Sequence, residues 1–97
     1  MKEQLHDYDP AEGLTDPESI EVFLADAFET GDADYITTAL GIVARAKGMS
    51  EIANETGLRR THLYDALGEK GNPTLRTLLA VTQSLGLDLT IRTHNPA

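Results

Sequence analysis

Apolar residues recur at helical spacing in five stretches of this chain and at every second position in a sixth, which predicts five helices followed by a short strand. The first stretch opens at Asp16 and Pro17, an acid suited to capping and a proline suited to a first helical turn. It carries Ile20, Phe23, Leu24, Ala27 and Phe28 on one face and stops at Gly31. Glu18 and Glu21 fall in its first turn, where the helix dipole favours negative charge. A second helix starts at Asp32 or Asp34, turns Ile36, Ala39, Leu40 and Val43 inward, and ends at Lys47 and Gly48. Gly41 inside it costs helix stability and marks a close backbone approach.

Between Met49 and Leu67 the spacing reads as a helix, a tight turn at Gly57 and a second helix. Ile52, Ala53 and Thr56 share the inner face of the first, which Ser50 is placed to N-cap. Gly57 supplies the left-handed residue that ends it, Leu58 turns into the core, and Leu63 and Ala66 continue the inner face of the second. A fifth helix is expected from about Thr74 to Leu85, capped by Thr74 or Asn72, with Leu75, Leu78, Leu79, Thr82 and Leu85 as its stripe and Gly86 as its stop. Beyond it Leu87, Leu89 and Ile91 alternate with Asp88, Thr90 and Arg92, the period of a strand over 87–92. Such a strand needs a partner, either its own copy across a two-fold axis or an extended N-terminal arm. Residues 1–15 show no apolar period and contain Pro10 and Gly13, so they read as that arm. The expectation is an all-α, five-helix helix-turn-helix domain over 16–97, with a short C-terminal β-strand and an extended N-terminal arm.

The outward positions of the helix-turn-helix are Arg59, Arg60, Thr61, His62, Tyr64 and Asp65. Arg60 and Thr61 occupy the exposed first turn, where base edges of a major groove come within reach; Arg59, His62 and Tyr64 suit phosphates or flanking bases. Backbone amides near Ser50, with Lys70 and Asn72, are candidates for holding the phosphate backbone. A helix, a glycine turn and a helix also occur in bundles that never touch nucleic acid. Two adjacent arginines at the start of the second helix favour DNA, because packing has no use for them there.

Charge divides the chain. Residues 1–38 hold eleven acids against Lys2, whereas the remainder holds seven cations and five acids, so a total of −8 conceals a weakly cationic C-terminal part. An acidic segment of this kind suits either a basic protein partner or simple solvation. The 97 residues make one domain without cysteine. No apolar run approaches bilayer length, and Met1 to Leu14 lacks the basic-then-apolar order of a signal peptide, which predicts a cytoplasmic chain with no membrane association. His6, His62 and His94 are far apart and accompany no cysteine, and neither a phosphate-binding glycine loop nor a nucleophile motif appears. No catalytic residue, metal, cofactor or small-molecule substrate is therefore expected.

Taken together these elements resemble the addiction-module antidote proteins, the HigA-like antitoxins with a Cro/CI-type (lambda repressor-like) helix-turn-helix. The resemblance runs through YDPAE (Tyr8 to Glu12), DPES and FLADAFETGD, ALGIVARAKGMSEIANETGL, LYDAL, GNPTLRTL (Gly71 to Leu78) and SLGLDLTI. The DPAE arm, the ARAKGMSEIA run and the GNPT loop are its more specific part. It implies a protein that neutralises a small basic RelE/HigB-like toxin that cuts mRNA, and that represses its own operon. Arg59 and His62 depart from the small polar residue and acid often found at the start of the recognition helix, so the operator sequence does not carry over. In the arm and first helix, Tyr8, Asp9, Glu12 and Glu29 are candidates to cover a cationic toxin surface, while Phe23 belongs rather to the core stripe. Dimerisation, expected through Leu87, Leu89 and Ile91, would double the DNA contacts and make the operator palindromic. A stand-alone phage-type repressor and a toxin-binding module without DNA binding are the alternatives.

Overall fold

The computed structural model describes Leu14 and residues 16–94, which form five helices: α1 (Pro17–Glu29), α2 (Ala33–Lys47), α3 (Met49–Thr56), α4 (Arg60–Ala66) and α5 (Leu75–Ser84). Their starts follow from local chemistry. The Asp16 carboxylate accepts the Ser19 backbone N–H at 2.8 Å with Pro17 at the first position of α1. Hydrogen bonds from Ser19, side chain first and backbone second, hold the Asp16 carboxyl below its ordinary value. Asp32 caps α2 through the N–H groups of Asp34 and Tyr35, at 3.0 and 3.3 Å, and Thr74 caps α5 through that of Thr77 at 3.1 Å.

The expected cap at Ser50 does not form. Gly48 ends α2 by donating its N–H to Ala44 O at 2.8 Å, and its own carbonyl accepts the N–H of Ile52 at 3.1 Å, so one glycine closes one helix and opens the next. No position is left between them for a serine cap; Met49 is already helical and buried, and Ser50 is exposed in the first turn of α3.

The core lies around α2. Leu40 and Val43 of α2 meet Ile52 of α3, Leu63 of α4 and Val81 of α5, all fully buried, while Ile20, Leu24 and Ala27 bring α1 onto the same cluster. Gly41 lets the crossing be this close: a Cβ there would stand 2.6 Å from the carbonyl oxygen of Leu67, the residue that ends α4. The close approach foreseen at Gly41 is thus to the backbone at the end of α4.

Two further expectations are corrected. The inner face of α5 is Thr77, Leu78, Val81, Thr82 and Leu85, and the helix turns Leu75, 68% exposed, and Leu79 to solvent. Two apolar stripes interleave in LRTLLAVTQSL, and the one selected contains threonines whose hydroxyls are satisfied on the spot. Thr82 donates to the carbonyls of Leu78 and Leu79 at 3.0 and 3.1 Å, and Thr74 donates to Thr77 at 3.1 Å. The strand expected over 87–92 is also absent; no strand occurs among the described residues. Instead α5 closes with Gly86 in the left-handed region at φ 79°, its N–H on Gln83 O at 3.0 Å and that of Leu87 on Thr82 O at 2.9 Å. That cap turns the chain back over α1, where residues 87–90 and Arg92 line a cleft of about 430 Å³ with Leu24, Phe28 and Glu29. Alternation alone cannot make a strand without a second extended segment to supply the ladder.

A polar clamp ties three helices together. Lys47 of α2 approaches Glu55 of α3 at 3.2 Å and donates to the carbonyl of Ser84 at the end of α5, whose hydroxyl donates to the same Glu55 carboxylate at 2.6 Å. The Ser84 bond first, and Lys47 second, hold the Glu55 carboxyl below its ordinary value. Because the folded value is the lower one, this contribution to stability is full above the ordinary glutamate range and is lost as pH falls through it. The unfolding midpoint of Glu55→Gln is therefore expected below that of the parent chain at neutral pH, with the gap closing in acid. A gap independent of pH would show that the carboxylate is not the group responsible.

Candidate nucleic-acid interface and acidic flank

Helix α4 is two-sided. Leu63 and Ala66 are buried beneath it, and Arg59, Arg60, Thr61, His62, Tyr64 and Asp65 are all exposed. The physical reason is the short turn after Gly57 (φ 79°), whose N–H bonds Ala53 O at 2.9 Å while Leu58 packs partly inward, so that α4 is anchored at its start and along one edge only. Arg59 occupies the N-cap position with extended backbone and no side-chain cap, which leaves the first N–H groups of α4 open to an outside acceptor.

Within this face two side chains are already oriented. The Arg60 guanidinium carbon lies 5.5 Å from the centroid of the Tyr64 ring, one turn along, so the arginine is laid over an aromatic face with its N–H groups still available. His62 Nε2 stands 3.3 Å from Thr77 Oγ1 on α5. One ring nitrogen of His62 is thereby engaged in holding α4 against α5, a role that residues fifteen positions apart in sequence give no sign of.

Lys70 and Asn72 are both exposed in the connection that follows α4. Its path is fixed by Gly71, where a Cβ would meet the backbone carbonyl of Ala66 at 2.1 Å; only a glycine lets the connection fold so closely over the end of α4. The same end of the molecule therefore carries Arg59, Arg60 and Lys70 together with the hydroxyl and amide groups of Thr61, Tyr64 and Asn72.

The other candidates are dispersed. Tyr8, Asp9 and Glu12, like the rest of the arm over 1–13, lie outside the described residues. Glu29, at the end of α1, is exposed and faces Arg92 at 3.9 Å, a solvent-exposed pair of little energetic weight. Of the residues expected to dimerise, Leu87 is partly buried against the core, whereas Leu89 is exposed and Ile91 is 95% exposed.

Electrostatically the chain has two ends. From residue 3 to residue 44 there is no lysine or arginine, so α1 and most of α2 carry carboxylates alone, while the cations from Arg45 onward sit on α2's end, α4, its following connection, α5 and the tail. Among the described residues no group of three or more histidines and acids gathers as a metal site. No described helix is long and apolar enough to cross a membrane.

Fold and charge together define a small all-helical protein in which α1 carries four carboxylates and no cation, while Arg59 and Arg60 stand at the start of α4. A family model described as "Probable addiction module antidote protein" matches residues 4–93, and the chain belongs to that family. It is 41% identical over 92 residues to an uncharacterized protein of Haemophilus influenzae (strain ATCC 51907 / DSM 11121 / KW20 / Rd), with 95% of each chain covered. No solved structure matches it. Membership as an antidote implies a toxin as partner.

Proposed function

We propose that this antidote neutralises a RelE/HigB-like mRNA-cleaving toxin and also represses its own operon, acting on DNA as a homodimer through α4. The observation that carries the DNA half is the two-sidedness of α4: a buried inner face under a polar outer face that bears Arg60 and is preceded by the exposed N-cap Arg59. Arg60 and Thr61 read base edges in the major groove; Arg59, Tyr64, Lys70 and Asn72, with the backbone amides near Ser50, hold phosphates, and His62 positions α4 from α5 while its exposed edge reaches a flanking base. A single domain with so few cations binds DNA weakly, and a homodimer on a palindromic operator doubles its contacts. The toxin half draws on the anionic α1 and the acids at the start of α2, since an enzyme that cuts RNA must present cations to phosphates and those cations suit a carboxylate-rich cover.

The test is a gel shift with the DNA upstream of the chain's own gene over a salt series, run beside co-expression with the product of the adjacent gene. The expected result is a retarded band that weakens steeply with salt, together with a co-purifying toxin whose RNA cleavage is suppressed. Toxin binding without a band leaves a module that does not regulate transcription. A band without toxin binding leaves a stand-alone repressor.

A further inference from the structure

We propose that the groove between α1 and α2 around Phe23 and Asp26 docks a cationic amphipathic segment of the toxin; this deepens the antitoxin reading above and rests on it. Two adjoining depressions share Phe23 and Asp26. One continues along α1 past Val22 to Glu18, and the other, of about 380 Å³, runs across to Tyr35 and Ile42 of α2. Apolar side chains stand open along it: Val22 is 62% exposed and Tyr35 57%, while Phe23 and Ile42 are half-buried.

Phe23 is itself packed against the core on its inner side, but packing of the protein does not call for Val22 or Tyr35. The contact of α1 with α2 is already made by Ile20, Leu24, Ala27, Ala39, Leu40 and Val43, all buried. Valine is a weaker helix former than most polar residues that could occupy an exposed site, so Val22 is not explained by the local stability of α1 either.

Charge selects the occupant. The rim is formed by Glu18 and Asp26, Asp34 adjoins Tyr35 in sequence, and no lysine or arginine occurs from residue 3 to residue 44. A nucleic acid would bring phosphates against these carboxylates, and a second copy of the same surface would bring like charges together, so both are disfavoured. An amphipathic segment with an apolar stripe and flanking lysines or arginines satisfies both features at once. Its stripe enters the groove beside Phe23, and its cations meet the rim, which sets the rate and orientation of encounter.

The experiment uses the full-length chain with the protein encoded by the adjacent gene as probe, and measures affinity by titration calorimetry. Val22→Lys and Asp26→Lys are both at exposed sites; each is expected to weaken binding by about 30-fold or more, with unchanged unfolding midpoint and unchanged operator affinity. Leu75→Lys, at the exposed apolar position of α5, is expected to leave toxin affinity unaltered. Parent-like binding by both groove variants, or a loss at Leu75→Lys in their place, overturns the docking site and leaves the antitoxin reading standing. Failure of the parent chain to bind the adjacent product removes both.

Discussion

Gly41→Ala is expected to destabilise the fold by about 2 kcal/mol, the opposite of what helix propensity predicts. In an exposed helix interior the change would add about 1 kcal/mol of stability, because alanine loses less backbone freedom on folding. Here the new methyl would stand 2.6 Å from the Leu67 carbonyl oxygen and 3.1 Å from an Arg45 guanidinium nitrogen. The arginine is flexible and can move away; the carbonyl belongs to backbone at the end of α4 and cannot do so alone. Relief requires α2 and α4 to separate, which opens contacts among Leu40, Val43, Ile52 and Leu63 in a fully buried cluster. Denaturant unfolding measures this directly. A variant as stable as the parent chain would mean that α2 and the end of α4 are farther apart than described.

Arg60→Ala is expected to weaken operator binding by about 10- to 100-fold and to relax preference at one base pair of each half-site. The magnitude is that of the bidentate guanine contact proposed for Arg60, whose guanidinium is laid over the Tyr64 ring at 5.5 Å in the free protein. Lys70→Ala should behave differently, weakening binding to all sequences alike and lowering the salt slope by about one. Competition gel shifts with single-base operator variants distinguish the two. Uniform weakening by Arg60→Ala would reassign that arginine to the phosphate backbone.

Helix starts, and the separation of charge between the two ends, were readable without coordinates. Asp16, Asp32 and Thr74 cap helices that begin one residue later, and a cap is a contact over two or three positions. The outer face of α4 was legible for the same reason: Leu63 and Ala66 lie three apart, so whatever covers them leaves Arg60, Thr61 and Tyr64 outside. Less could be read where two local solutions compete. Gly48, expected only to end α2, also opened α3 in place of Ser50, and the inner face of α5 kept Leu78, Thr82 and Leu85 but took Thr77 and Val81 in place of Leu75 and Leu79. The alternation of Leu87, Leu89 and Ile91 had no ladder to join once the turn at Gly86 sent the chain across α1. Couplings such as His62 with Thr77, or Lys47 with Glu55 and Ser84, join separate elements and left no local trace.

By itself the amino-acid order determined where α1, α2 and α5 begin, which helices carry carboxylates and which carry arginines, and that Gly41 must lie against something. These depend on neighbours a few residues away. Only the tertiary structure decided what Gly41 lies against, which side of α5 faces inward, where the tail runs, and that Val22, Phe23 and Tyr35 are left around an open groove. Each of those outcomes depends on what stands opposite in space, and packing selects among several locally acceptable arrangements by filling one shared core.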